Sequence, residues 1–256
     1  MKLNSISKLA LCGALFSAAA FGVAAVDGHG AEHIKAAVAH KDRPAEDVSR
    51  DQFRKPVEVL EFIGVQPGMK VVDVNSGAGY YTEILSRAVG ADGTVIAHNG
   101  PVYWSFVKNQ IAARYDGRLG NVRKIYLGSE NVAAAEGTVD VAMAVLSYHD
   151  YFFKHKERKG EENIPEILGS IHKALKDDGV FVVIDHVAPA GSGTEAGNSL
   201  HRIDPELVKE QVLAAGFKLA ESSDILANPE DPHTISPFAE GIRGKTDRFI
   251  FKFVKK

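Results

Sequence analysis

Residues 71–82, Val71-Val72-Asp73-Val74-Asn75-Ser76-Gly77-Ala78-Gly79-Tyr80-Tyr81-Thr82, run from apolar strand-like sequence through a glycine turn into a helical pattern. Gly77 and Gly79 lack a side chain, so the backbone can approach a ligand closely there, and the free N–H groups of a helix start favour an electron-rich group. Gly-x-Gly alone is a weak signal. Its surroundings strengthen it: the turn follows the first strand of an alternating series, Asp73 precedes Gly77 by four positions, and a second strand ends at Asn99, 20 residues after Gly79.

A second group of chemically capable residues falls at the ends of other predicted strands. His98 and Asn99 follow the second strand, Tyr148, His149 and Asp150 the fourth, and Asp185 and His186 the fifth, while His201 and Arg202 precede a helix capped by Asp204 with Pro205 in its first turn. Ligands of open α/β sheets lie beyond the carboxyl ends of the strands. His149 or His186 could take a proton from a nucleophile there, with Asp150 as orienter and Tyr148 against the ligand. One histidine near a strand end is more often a hydrogen-bonded structural residue; four at one edge shift the balance. Histidine with carboxylates also suits zinc, copper or iron, but the spacings match no compact ligand motif, so no metal is expected. His29-x-x-x-His33 reads as solvated sequence. Tyr103 and Trp104 begin a helix after Pro101 and read chiefly as core.

The elements that would position these groups alternate. The pattern predicts strands over 70–75, 94–98, 122–127, 139–146, 180–187 and 217–225, with helices over 80–89, 103–115, 163–175 and 205–215 and a further helix from Pro56 to Gly64. Such alternation calls for a largely parallel sheet covered on both faces. The last apolar run, 247–254, follows strand 217–225 without a helical crossover and is expected to pair antiparallel at one end of the sheet.

On these residues the sequence resembles a class I S-adenosylmethionine-dependent methyltransferase from about Pro56 to the C-terminus. The arm and the tail Ile242-Arg243-Gly244-Lys245-Thr246-Asp247-Arg248-Phe249 resemble a group of predicted methyltransferases with signal peptides. The resemblance implies an α/β, Rossmann-like doubly wound sheet of about seven strands with the last antiparallel. It implies S-adenosyl-L-methionine as cofactor, with Asp73 facing its amino-acid end through the turn and Gly77 and Gly79 passing under it. Asn75, where the family usually has glycine, tolerates left-handed backbone best of the other residues. Ser76 lies in the same turn and Leu146 ends the fourth strand. Asn99 stands where a carboxylate normally grips both ribose hydroxyls; an amide offers one acceptor and one donor, so weaker affinity is expected. Glu130, in Ser129-Glu130, could supply an acid near the adenine, or be ordinary exposed loop. A nicotinamide dinucleotide ranks lower, since its fingerprint wants a small residue at Thr82 and an acid at Asn99.

The chain's 256 residues, 45% hydrophobic and 25% charged, suit one sizeable core, and a net charge of −3 provides no general field for nucleic acid. Residues 1–25 carry Lys2 and Lys8 and then an apolar run ending in Val23-Ala24-Ala25, the pattern of a signal peptide cleaved after Ala25. That run is short for a membrane span. Removing the two lysines takes the net charge from −3 to −5, and the sole cysteine, Cys12, leaves with the signal. The reading is a signal over 1–25, a charged arm over 26–55, a domain over 56–256, a periplasmic or secreted location and an acceptor of unspecified class. Because the cofactor is made inside cells, the competing expectation is a non-catalytic small-molecule or metal-binding module that kept the fold.

Overall fold

The computed structural model describes residues 31–156, 158 and 162–256; the expected signal, Cys12 and the cleavage site lie outside the described residues. Residues 31–256 form one compact unit. Its elements in order are α1 (Glu32–Val38), α2 (Ala45–Val48), α3 (Asp51–Arg54), α4 (Pro56–Ile63), β1 (Lys70–Val74), α5 (Tyr80–Val89), β2 (Thr94–His98), α6 (Pro101–Tyr115), β3 (Val122–Ile125) and β4 (Val139–Val145). A 3₁₀ turn at His149–Phe152 follows, then α7 (Ile164–Ala174), β5 (Leu175–His186), α8 (Glu195–Ser199), α9 (Pro205–Ala214), β6 (Phe217–Ser223) and β7 (Arg248–Lys255).

The seven strands lie in the order β3-β2-β1-β4-β5-β7-β6, parallel through β5, with β7 antiparallel to both its neighbours. Because side chains alternate across a strand, each central strand feeds two cores. Phe181 and Val183 of β5 pack with Ile167, Leu168 and Ile171 of α7 and Val208 and Val212 of α9, whereas Val182 and Ile184 pack on the other face with Ile84 and Leu85 of α5 and Val59 and Leu60 of α4. The expected α/β sheet is therefore present.

The final strand departs from the expectation in place. β7 sits one position in from the edge, between β5 and β6. Its residues explain this: Phe249, Ile250, Phe251 and Phe253 are all buried, which requires cover on both faces. β6 buries Phe217 but leaves Lys218 through Ser222 exposed, the composition of an edge strand.

Residues 32–54, where the sequence shows no clear period, are helical and built in by charge. Ile34 and Ala37 join the α4/α5 core. Arg43 forms a two-pronged pair with Asp51 at 2.7 Å each, Asp51 accepts the Tyr80 hydroxyl at 2.6 Å, and Arg114 of α6 reaches Asp47 at 2.6 Å. These contacts lock the arm over the start of α5, beside the glycine turn. No helix among the described residues is long and apolar enough to cross a membrane.

Candidate functional site

The glycine turn adopts left-handed backbone at three alternate residues, Asn75 (φ 51°), Gly77 (φ 58°) and Gly79 (φ 90°). Such backbone costs an ordinary residue about 1–2 kcal/mol, which explains glycine at two positions and asparagine at the third. Asn75 earns its place through its amide: its Oδ1 accepts from Gly100 N–H at 3.1 Å and its Nδ2 donates to Ser129 Oγ at 3.4 Å. Ser129, rather than the exposed Glu130 beside it, therefore meets the turn.

The two glycines differ in what surrounds them. A Cβ on Gly77 would meet nothing within 4 Å, so this residue opens onto free space. A Cβ on Gly79 would collide with the Tyr115 ring and hydroxyl and come within 2.8 Å of Arg114 Cδ. The missing side chain of Gly79 is thus accounted for by Tyr115 and Arg114 of α6, which pack into its space. The Tyr115 hydroxyl is buried beside this turn, close to Thr82 and Ser76. Sequence reasoning missed it because nothing but packing brings the end of α6 to the turn.

Asn99 is fully buried, and its amide is turned back on the glycine loop. Its Oδ1 accepts from Gly77 N–H at 3.0 Å, and its Nδ2 donates to Ser76 Oγ at 2.9 Å and Gly77 O at 3.3 Å. In this arrangement Asn99 fixes the shape of the cradle, and a ribose could engage it only by displacing these bonds. Asp73, at the end of β1, is also buried and accepts from Thr82 Oγ1 at 2.7 Å. Burial raises its pKa to about 7 despite the Thr82 hydrogen bond and the charge of Arg54. A carboxyl whose folded pKa exceeds its unfolded value favours the fold at low pH, and that contribution is lost as pH rises through about 7. Denaturant unfolding should therefore show stability falling by on the order of 3 kcal/mol between pH 4 and 8, and Asp73→Asn should flatten that slope.

At the ends of β4 and β5 the structure gathers His149, Asp150, Asp185, His186 and His201. Asp185 is the partner that orients His149: it accepts from the His149 backbone N–H at 2.9 Å and sits 2.7 Å from its Nδ1. Asp150 lies on the opposite ring edge, with Oδ1 3.3 Å from His149 Nε2 and 3.4 Å from His201 Nδ1, and its other oxygen accepts the Tyr103 hydroxyl. Burial lowers the pKa of His149, but Asp185 and Asp150 outweigh it and raise the ring to about 10. As a cation it has no lone pair for a substrate proton, which weighs against the base role expected of it.

Tyr148 is a further correction. It is fully buried, packs edge-on against Tyr151 at 5.3 Å, and donates its hydroxyl to Gln211 of α9 at 2.8 Å. The helical backbone entering the 3₁₀ turn directs it into the core, away from any ligand. His186, by contrast, is half-buried and borders a cleft. Its Nδ1 contacts Thr246 Oγ1 at 2.7 Å, and burial together with the neighbouring cationic groups holds its pKa well below the usual histidine range, so it stays neutral.

His186 and Leu146, itself left-handed at φ 55°, line a cleft of about 530 Å³ completed by Phe53, Phe238 and four arginines, Arg50, Arg54, Arg243 and Arg248. Arg54 lies over the Tyr80 ring at 4.4 Å and has no carboxylate within ion-pair distance among the described residues. Burial, with Arg50 nearby, lowers its pKa to about 10, and it remains charged at neutral pH. Trp104 packs against Tyr126 with ring centroids 3.7 Å apart and planes tilted by 33°, outside this cleft.

Comparison with known proteins points the same way. Residues 46–109, which hold the end of the arm, the glycine turn and the start of α6, match the family model for protein-L-isoaspartate(D-aspartate) O-methyltransferase. The chain is 28% identical over 134 residues to the ubiquinone/menaquinone biosynthesis C-methyltransferase of Idiomarina loihiensis, covering 52% of this chain and 49% of that protein. It is 30% identical over 124 residues to the protein-L-isoaspartate O-methyltransferase of Thermotoga maritima, covering 48% of this chain and 33% of that one. The chain thus spans half or less of the length of these curated relatives. Among solved structures, a SAM-dependent methyltransferase from Aquifex aeolicus superposes with TM-score 0.59 at 20% identity over 84% of this chain and all of that one. An arsenic(III) S-adenosylmethionine methyltransferase from Chlamydomonas reinhardtii does so with TM-score 0.52 at 13% identity over 88% and 73%. Strand order and the superposed structures together show that this chain has the fold of the class I S-adenosylmethionine-dependent methyltransferases.

Proposed function

We propose that this protein is an S-adenosylmethionine-dependent methyltransferase acting on a small acceptor. The observation that carries this is the left-handed turn at Asn75–Gly79, closing β1 of the methyltransferase-ordered sheet, with Gly77 open to a ligand. The backbone around Ser76 and Gly77 would hold the cofactor, Asp73 would stand behind its charged amino-acid end, and the Tyr115 hydroxyl would lie beside the same turn. The bound cofactor supplies an activated methyl group on a sulfonium.

The protein's own task is then to align the nucleophile and take its proton. His186 suits the second role, since it is neutral, borders the cleft and is held through Nδ1 by Thr246. Arg54 and Arg248 draw electron-rich acceptors into the same cleft. Calorimetric titration with S-adenosylmethionine and its demethylated product should give saturable binding. Absence of binding at millimolar cofactor would reject this reading in favour of a non-catalytic module, which the inward-turned Asn99 amide would then explain.

The same reading places the mature chain, with its arm and its domain over 56–256, outside the cytoplasm after cleavage of a signal at Ala25. Lys2, Lys8, the apolar run and Val23-Ala24-Ala25 support this. Intact-mass analysis of exported material should find a chain beginning at Val26, and an uncleaved Met1 chain confined to the cytosol would refute it.

A further inference from the structure

We infer that His149, Asp150 and His201 form a binding site for a divalent first-row transition ion, with zinc as the best match to the ligands. The three come from the end of β4 and from the loop before α9, and one ligand atom from each lies within 4.8 Å of the others. A four-coordinate zinc with bonds of about 2.0–2.2 Å separates its ligand atoms by roughly 3.4 Å. His149 Nε2 and His201 Nδ1 stand 3.3 and 3.4 Å from the same Asp150 oxygen. Both contacts are longer than the roughly 2.7–2.9 Å of a charge-assisted hydrogen bond. The Asp185 contact to His149, at 2.7 Å, is a true bond of that kind. The longer pair therefore has ligand-edge spacing, and the shorter one orients a ligand.

The surroundings are those of a built site. Asp185 on Nδ1 leaves Nε2 of His149 to face Asp150, the carboxylate–histidine arrangement that fixes ring orientation in metal centres, and the ion displaces the proton that the two carboxylates otherwise hold on Nε2, so binding releases a proton. Tyr103 holds the second oxygen of Asp150 from α6. His201 is a non-glycine residue at φ 53°, and backbone strain of this kind persists where surrounding structure enforces it, often at functional sites. The adjacent Arg202 pins this loop by donating to Val187 O at 2.9 Å and Ile235 O at 2.7 Å, and the rings of Phe153 and Phe238 flank His201 at 4.6 and 5.2 Å. With His149 buried and the His201 side chain 24% exposed, the fourth position is left toward solvent and the cleft that Phe238 also lines. Three protein ligands with an open position is the pattern of a reactive ion. The sequence places the histidines at one edge but shows no ligand motif, because strand ends and a loop, rather than a local run, bring them together.

The site stands independently of methyl transfer and is tested with zinc alone. Full-length protein stripped with chelator and passed through gel filtration in excess zinc should retain about one zinc per chain by elemental analysis, and zinc should raise its melting temperature. His201→Ala and Asp150→Asn should each weaken binding at least 100-fold, Asp185→Asn about 10- to 100-fold, and His201→Cys should keep the ion. Gly77→Trp, which changes only the glycine turn, should leave zinc binding intact. Circular dichroism of the metal-free variants separates lost ligation from lost fold. No retained zinc, or equal zinc in wild type and folded His201→Ala, would overturn the site and leave the cluster as an ion-pair network.

Discussion

Gly77→Trp should abolish S-adenosylmethionine binding while leaving a folded protein, and Gly79→Ala should do the reverse. Space decides both outcomes. At Gly77 a side chain projects into the open volume, so its cost to the fold is the left-handed strain alone, about 1–2 kcal/mol. The same side chain occupies the space that Gly77 leaves open beside the turn, so calorimetry should read at least a 100-fold loss of affinity, about 2.7 kcal/mol. At Gly79 even a methyl group meets the Tyr115 ring and Arg114. Overpacking of about 1–3 kcal/mol adds to the strain there, for a total of about 2–5 kcal/mol. At about 2–4 °C per kcal/mol for a chain of this size, Gly79→Ala should melt roughly 4–20 °C lower. Tyr115→Phe completes the comparison: it removes a buried hydroxyl beside Thr82 and Ser76, so the free protein should lose no more than about 1.5 kcal/mol while cofactor affinity falls about tenfold, or 1.4 kcal/mol. Equal loss of binding and stability in both glycine variants would refute this division of roles.

Those variants also mark where the sequence stopped being legible. The strands and long helices could be read because their signal is local: Val71 through Val74 are apolar and β-branched around Asp73, and Ile84, Leu85, Ala88 and Val89 recur at helical spacing. The glycine turn could be read for the same reason. Which glycine faces a ligand could not, because Tyr115 lies far along the chain and reaches Gly79 only through α6 packing. The arm escaped for a related reason. Its helices are short, and Asp47 and Asp51 hold them through Arg114 and Tyr80, partners that charge patterning along the chain does not reveal. At the strand ends residue type was informative and direction was not. His149 and Tyr148 are neighbours, yet the 3₁₀ turn sends one to the edge cluster and the other to Gln211. Asp185, read only as one polar residue among several, proved to be the partner that orients His149.

Asp231→Ala should be the most destabilising single change outside the hydrophobic core. Arg202 and Asp231 pair through two bonds of 2.9 and 3.0 Å with both side chains completely buried. Asp231 also accepts the backbone N–H groups of Asp247 at 2.7 Å and His233 at 3.1 Å. Removing the carboxylate leaves a buried guanidinium without its counter-charge and two backbone donors without acceptors, which costs about 3–5 kcal/mol. The melting temperature should fall by roughly 6–20 °C. The loss has a direction in function as well. Residues 224–247 cross from β6 to β7 without a regular element and carry Pro237, Phe238, Arg243 and Thr246 into the cleft, and the Arg202–Asp231 pair fastens that crossing to the end of β5 through Val187. Below its melting point the variant should keep cofactor affinity within about tenfold, because the glycine turn rests on β1, β2 and α6, while turnover of an acceptor held by the cleft should fall by at least as much as stability predicts. A variant as stable as wild type, or one that loses cofactor binding before cleft function, would show that this ion pair does not secure the crossing.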